Sequence, residues 1–121
     1  MTKLHMIFQE QVFHVVLKDH PLTQSIIAMC PFDATYTRGG NHEYYTTLTD
    51  KADVKNCPET VDGEKNKLYV FPEWNALSLV IRDCRVAPYR IYEVGQFEED
   101  VASVLAHYGN SVHIRCEIEK E

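Results

Sequence analysis

The sequence predicts a mainly β domain that closes into a small barrel, and three observations carry that expectation. Short segments rich in β-branched and aromatic residues recur along the whole chain, about eight of them against two short helical patterns. The segment Val112-His113-Ile114-Arg115-Cys116-Glu117-Ile118-Glu119 alternates without a fault, the period of a strand with one buried and one wet face. At 121 residues, 45% hydrophobic and 25% charged, residues 1–121 have the size and composition of one globular domain. A barrel suits strands at this density because closure leaves no unpaired edge.

Taken in order, Leu4 to Phe8 and Gln11 to Leu17 are apolar runs separated by Gln9-Glu10, an antiparallel hairpin. Asp19-His20-Pro21 opens a helix: Asp19 or His20 can cap it, and Pro21 suits the first turn, where its missing N–H is not needed. Leu22, Ile26, Ile27 and Met29 follow at helical spacing, and Pro31 ends the helix. Phe32 to Thr37 alternates and leads into the turn Arg38-Gly39-Gly40-Asn41, where glycine allows positive φ. His42 to Leu48 is a strand with Glu43, Tyr45 and Thr47 on one face and Tyr44, Thr46 and Leu48 on the other. Residues 49–66 are polar and aperiodic, a long surface loop. Lys67 to Phe71 and Ala76 to Ile81 are strands joined by Pro72-Glu73-Trp74-Asn75, and Arg90 to Val94 is another. Phe97 to Tyr108 is the stronger helix pattern, with Glu98, Glu99 and Asp100 at the positive end of its dipole and Gly109 as its stop.

The formal charge of −6 argues against nucleic acid, which needs a basic face. No apolar run reaches the roughly 20 residues that span a bilayer, so no membrane partner is expected. The first eight residues lack the pattern of a secretory signal, which reads as cytoplasmic. Cys30, Cys57, Cys84 and Cys116 form no Cys-x-x-Cys pair, so neither a zinc knuckle nor a thioredoxin-like redox motif is present; a reducing compartment keeps such thiols free, whereas export would allow two disulfides. Gly39-Gly40 lacks the Gly-Lys-Ser/Thr continuation of a phosphate loop, and no serine lies in a Gly-x-Ser-x-Gly elbow. No cofactor is expected.

Four stretches carry a family resemblance. They are Phe32 to Leu48 with its Gly-Asn-x-Glu-Tyr-Tyr turn and strand, the aliphatic strand pair Lys67 to Ile81, Pro88-Tyr89-Arg90-Ile91-Tyr92-Glu93-Val94-Gly95, and the final helix with its alternating strand. With the opening hairpin and helix, the chain resembles the cyclophilin-like superfamily, in particular the small bacterial cyclophilin-like domains of unassigned function. The resemblance implies a closed eight-stranded barrel plugged at its ends by two short helices. True cyclophilins isomerise X-Pro bonds with an arginine that polarises the prolyl carbonyl, a phenylalanine-lined pocket and a glutamine. That set is missing here: Arg38 is the nearest arginine, and no Phe-x-x-Gln pattern follows it.

Three constellations are candidates for chemistry. Arg38, Asn41, His42, Glu43, Tyr44 and Tyr45 place a cation, an imidazole and two phenols near a Gly-rich turn, a set suited to a small anionic or aromatic molecule or simply to a polar hairpin. Phe71-Pro72-Glu73-Trp74, with Tyr89 and Tyr92 further on, offers an aromatic wall around the only tryptophan, or a cap on the barrel end. His5, His14 and His113 alternate with apolar neighbours on strands expected near one another, but no carboxylate completes a recognisable metal spacing, so no metal is assigned. Cys84 stands near Arg82 and Arg85, cations that favour a thiolate.

The expected function is therefore a binding module for a small molecule or peptide segment. The alternative is a prolyl isomerase-type enzyme with an altered site, Arg38 polarising the carbonyl and Phe71 or Trp74 lining the pocket. A third class is an assembly subunit with residues 49–66 as its contact surface.

Overall fold

Alternation in the sequence becomes alternation of burial. In the computed structural model, which describes residues 2–119, β1 (Lys3–Phe8) buries Leu4, Met6 and Phe8, and β2 (Gln11–Leu17) buries Phe13, Val15 and Leu17. The two pair antiparallel through a two-residue turn in which Gln9 and Glu10 both take positive φ, 51° and 65°. Primed turns of this kind match the twist of the strands they join. Helix α1 (Pro21–Met29) follows with Pro21 in its first turn and His20 at the N-cap, although neither Asp19 nor His20 caps it through a side chain. Leu22 and Ile26 carry it into the core.

The remaining barrel strands are β3 (Phe32–Gly39), β4 (Glu43–Thr47), β6 (Lys67–Phe71), β7 (Ala76–Val80), β9 (Tyr92–Phe97) and β10 (Ser111–Ile118). The two-residue strands β5 (Asp62–Gly63) and β8 (Cys84–Arg85) pair only with each other. The barrel order is β1-β10-β3-β4-β7-β6-β9-β2, with β2 returning to β1. Every pairing is antiparallel, and the expected closed eight-stranded barrel is the fold observed. Its interior is filled by side chains such as Leu4, Met6, Tyr36, Tyr44, Leu68, Leu79 and Ile114, each fully buried, which is the packing expected when only eight strands close.

Two elements differ from the sequence reading. The final helix, α2, runs only over Val101–Leu105. Phe97 instead pairs with Val15 in the sheet, the Phe97 N–H donates to the Asn66 carbonyl and the Glu98 N–H to the His14 carbonyl. Backbone groups already held by strands cannot also serve a helix, so the helical pattern of residues 97–100 is overridden. Asp100 caps the shortened helix, its Oδ1 accepting from the Ser103 N–H at 3.3 Å, while Asn66 Oδ1 accepts from Ala102 N–H at 2.7 Å. The strand expected over Arg90 to Val94 is correspondingly shifted to Tyr92–Phe97.

The polar stretch 49–66 is tied down rather than a free surface loop. Ala52 is buried, Thr60 bridges Ile91, and Asp62 and Gly63 pair with Arg85 and Cys84. Ala52, Val54 and Cys57 pack toward the main core, whereas residues 60–64 of this stretch, together with residues 84–91, cover the outer face of β6 and β7. There Tyr69, Val80 and Ile91 form a second apolar cluster outside the barrel, with Phe71, Cys84 and Val86 packed against it. All five residues of β7 are therefore buried, as expected of a strand covered on both faces.

Closure between β2 and β9 rests on three residue pairs, ending at Leu17 and Gly95. A Cβ built on Gly95 would stand 2.4 Å from the Val16 carbonyl oxygen and 2.8 Å from Val15 Cγ1. Backbone approaches this closely only where no side chain intervenes. Gly95→Ala is expected to destabilise the protein by roughly 1–3 kcal/mol through forced displacement of β2, measured by urea denaturation of both proteins.

Candidate functional site

The outward face of β4 carries Glu43, Tyr45 and Thr47, as its alternation predicts, while Tyr44 points inward and is fully buried. These three residues form one wall of a surface cavity of about 460 Å³. The other walls come from Phe71 at the end of β6, Trp74, Ala76 at the start of β7, and Arg85, Val86 and Tyr89 from the covering segment. His42 completes the lining. Volumes of this order accommodate small organic ligands.

The aromatic side is held by a single 3₁₀ turn, Pro72–Trp74. Asn75, in the left-handed region at φ 46°, closes the turn and donates its backbone N–H to the Pro72 carbonyl. Its side chain ties the turn to the chain leaving β4: Oδ1 accepts from the Ala52 N–H at 3.1 Å, and Nδ2 donates to the carbonyls of Leu48 and Asp50 at 3.3 and 2.8 Å. Asparagine tolerates the left-handed region and supplies both donors and an acceptor, which suits it to this position. The Phe71, Trp74 and Tyr89 rings then meet pairwise at centroid distances of 5.0 to 5.8 Å. Even so, Trp74 remains 55% exposed and Tyr89 42%.

The polar side is built on the turn between β3 and β4. Gly40 takes φ +57°, and the Glu43 side chain lies over Gly39, where a Cβ would come within 2.8 Å of its Cγ. Glu43 Oε1 accepts from the buried Ser78 hydroxyl at 2.6 Å, and Oε2 stands 3.0 Å from His42 Nε2. The carboxylate is thus anchored at one oxygen by the Ser78 hydroxyl and lies beside the His42 ring at the other. Arg85 is much looser: its pairing with Asp62 at 3.4 Å joins two side chains that are each about two-thirds exposed, 68% and 66%. Such pairs hold weakly in water, which leaves the guanidinium free to turn toward a bound anion.

Six of the residues singled out from sequence line this cavity: His42, Glu43, Tyr45, Phe71, Trp74 and Tyr89; Asn41, Tyr44 and Tyr92 do not. Arg38 is not among the lining residues. Its Nε donates to the Gly40 carbonyl at 3.2 Å, and Nη1 donates to the Tyr44 hydroxyl and the Tyr108 carbonyl at 3.1 and 3.3 Å. The Tyr44 hydroxyl in turn donates to the Gly109 carbonyl at 2.6 Å. Arg38 therefore ties β3 and β4 to the chain after α2. Sequence reasoning missed Arg85, Ser78 and Asn75, which lie in unremarkable local contexts. Only the pairing of β4 with β7 and of β5 with β8 brings them to the site.

Cys84 also corrects an expectation. Burial pushes its thiol up, and the negative charge of Glu43 adds to that, whereas Arg82 and Arg85 do not depress it. The histidines separate as well. His5 and His14 face each other across β1 and β2, while His113 lies 3.3 Å from Asp33 beside β3. All four cysteines are free, and burial raises Cys30 to about 11 and Cys116 to about 12. Because the raised value leaves little thiolate at pH 8, alkylation of Cys84 by iodoacetamide in the native protein is expected to be slower than that of a free thiol. Peptide mapping of timed samples checks this.

A family model described as the cyclophilin-like family matches residues 6–117. No curated protein matches the chain. Among solved structures, the solution structure of a hypothetical protein from Archaeoglobus fulgidus is similar over 96% of this chain and 93% of that one, with a TM-score of 0.68 and 17% identity. At that identity the likeness concerns the fold. No helix among the described residues is long and apolar enough to cross a membrane.

Proposed function

The chain belongs to the cyclophilin-like family, and from that premise we propose that it is a binding module whose outer-wall cavity takes a small molecule or short peptide segment with a flat apolar group. The observation that carries the reading is the exposed aromatic wall of Trp74 and Tyr89 facing a carboxylate anchored by Ser78, with the His42 ring beside it. An apolar ring or prolyl group stacks on the aromatic wall, where aromatic contacts contribute about 0.5–1.5 kcal/mol beyond simple burial. Glu43 accepts a hydrogen bond from an N–H or O–H of the ligand, and Arg85 engages an acidic group at the rim. Fixed polar groups within an apolar cavity orient a ligand rather than merely attract it.

Trp74 is the only tryptophan, so its emission reports directly on this cavity. In titrations of aromatic amines, prolyl peptides and aromatic acids, at least one class is expected to shift Trp74 emission saturably. Glu43→Gln should weaken that ligand about tenfold, the loss of one charge-assisted hydrogen bond of roughly 1.5 kcal/mol. Saturation that is indifferent to both Glu43→Gln and Tyr89→Ala places the ligand elsewhere and removes the proposal.

Prolyl isomerisation receives less support. Arg38 is engaged by Gly40, Tyr44 and Tyr108, and Arg85, the one arginine at the cavity, is largely exposed. Polarising a prolyl carbonyl requires a donor held in a site that excludes water. Wild type and Arg85→Ala are both expected to leave X-Pro exchange, which takes tens to hundreds of seconds unaided, unaccelerated in a peptide assay.

A further inference from the structure

On the opposite strands of the barrel, His5 and His14 occupy directly facing positions of the β1–β2 ladder. Both belong to the outward set of their strands and are half-buried, with their rings edge to face at a centroid distance of 4.9 Å. Just beyond β10, Glu119 donates its backbone N–H to the Lys3 carbonyl, which continues the β1–β10 ladder and brings its carboxylate over β1. Its Oε1 stands 3.3 Å from His5 Nε2. One donor atom from each of His5, His14 and Glu119 lies within 4.8 Å of the other two.

We propose that His5, His14 and Glu119 form a site for a divalent first-row transition metal, with zinc as the best fit. Two imidazoles and one carboxylate are a ligand set that zinc accepts, and ligands about 2.0–2.1 Å from a tetrahedral ion stand roughly 3.3 Å apart. The His5–Glu119 separation already has that value, and small side-chain rotations bring in His14. The mixed nitrogen and oxygen donors suit zinc better than calcium or magnesium, which favour oxygen alone.

A second layer orients the ligands. His14 Nδ1 lies 2.5 Å from Oε2 of Glu99, whose Oε1 accepts the His14 backbone N–H at 2.8 Å. With Nδ1 engaged, Nε2 is the ring atom left for a cation, the arrangement by which carboxylates orient metal-bound histidines. The charge balance agrees. Glu99 and Glu119 bring two negative charges to two imidazoles, while the neighbouring Lys3 ammonium is occupied by Glu98 at 2.8 Å. A divalent ion offsets that excess. The three ligands leave a fourth zinc position for water or a further ligand.

The test uses tag-free full-length protein, titrated with zinc by calorimetry and with cobalt(II) by visible absorption. Histidine ring nitrogen spectra are recorded in parallel. Wild type is expected to bind one equivalent of zinc, to shift the ring signals of His5 and His14 and to leave those of His113 in place. Binding should fall at least tenfold in His5→Ala, His14→Ala and Glu119→Gln, and about 10–100-fold in Glu99→Gln, with the thermal melts of the metal-free variants showing that they remain folded. His113→Ala should bind as wild type does. No binding by wild type, retention of full affinity in the His5→Ala/His14→Ala double variant, or a cobalt spectrum dominated by thiolate charge transfer would each overturn the assignment.

Discussion

Closure of the sheet is the constraint on which the rest of the molecule depends. Without one of its pairings, the eight barrel strands would form an open, twisted sheet with two exposed edges, and exposed edges invite pairing with other chains. The seam between β2 and β9 removes them with three residue pairs, and it can do so because Gly95 lets the backbone of β9 come against Val15 and Val16. Once the sheet closes, every barrel residue is assigned to the inside or the outside. The interior is filled by buried side chains, which places the candidate binding surfaces on the outer wall.

The outer wall is not uniform. Over β6 and β7 it is covered by the segments that carry β5 and β8, and the buried Tyr69, Val80 and Ile91 make that cover an apolar second layer. The candidate cavity opens where the cover ends and the outward face of β4 begins. Each contributing element has its own support: the left-handed Asn75 holds the Trp74 turn, and Ser78 holds Glu43. On the β1–β2 side of the wall His5, His14, Glu99 and Glu119 gather.

The two arginines show why residue type alone misplaces a site. Arg38 stands beside the turn that builds the polar wall, yet its guanidinium satisfies the carbonyls of Gly40 and Tyr108 and the hydroxyl of Tyr44. A donor group committed in this way is unavailable to a ligand, and its loss would remove the bond the buried Tyr44 hydroxyl accepts while leaving the one it gives to the Gly109 carbonyl. Arg85 lies more than forty residues further along and reaches the same cavity only because β8 pairs with β5. The metal cluster teaches the same lesson. His5 and His14 were legible as alternating histidines, but Glu99 and Glu119 join them only through strand pairings and contacts that no local spacing reveals.

By itself, the sequence determined what depends on near neighbours: the period of β1, β4 and β10, the strand character of β6 and β7, the first turn of α1 at Pro21, and the faces on which Glu43 and Tyr45 lie. A period of two residues is written in the order of side chains and needs no partner to be read. The tertiary structure alone decided the length of α2, the anchoring of residues 49–66, and which arginine and carboxylates meet aromatic rings or histidines. Those outcomes are contests between local preference and long-range pairing. Phe97 is the plainest case: it joins the pattern of a helix but pairs with Val15, because closing the barrel secures more hydrogen bonds and buried surface than one further helical turn would.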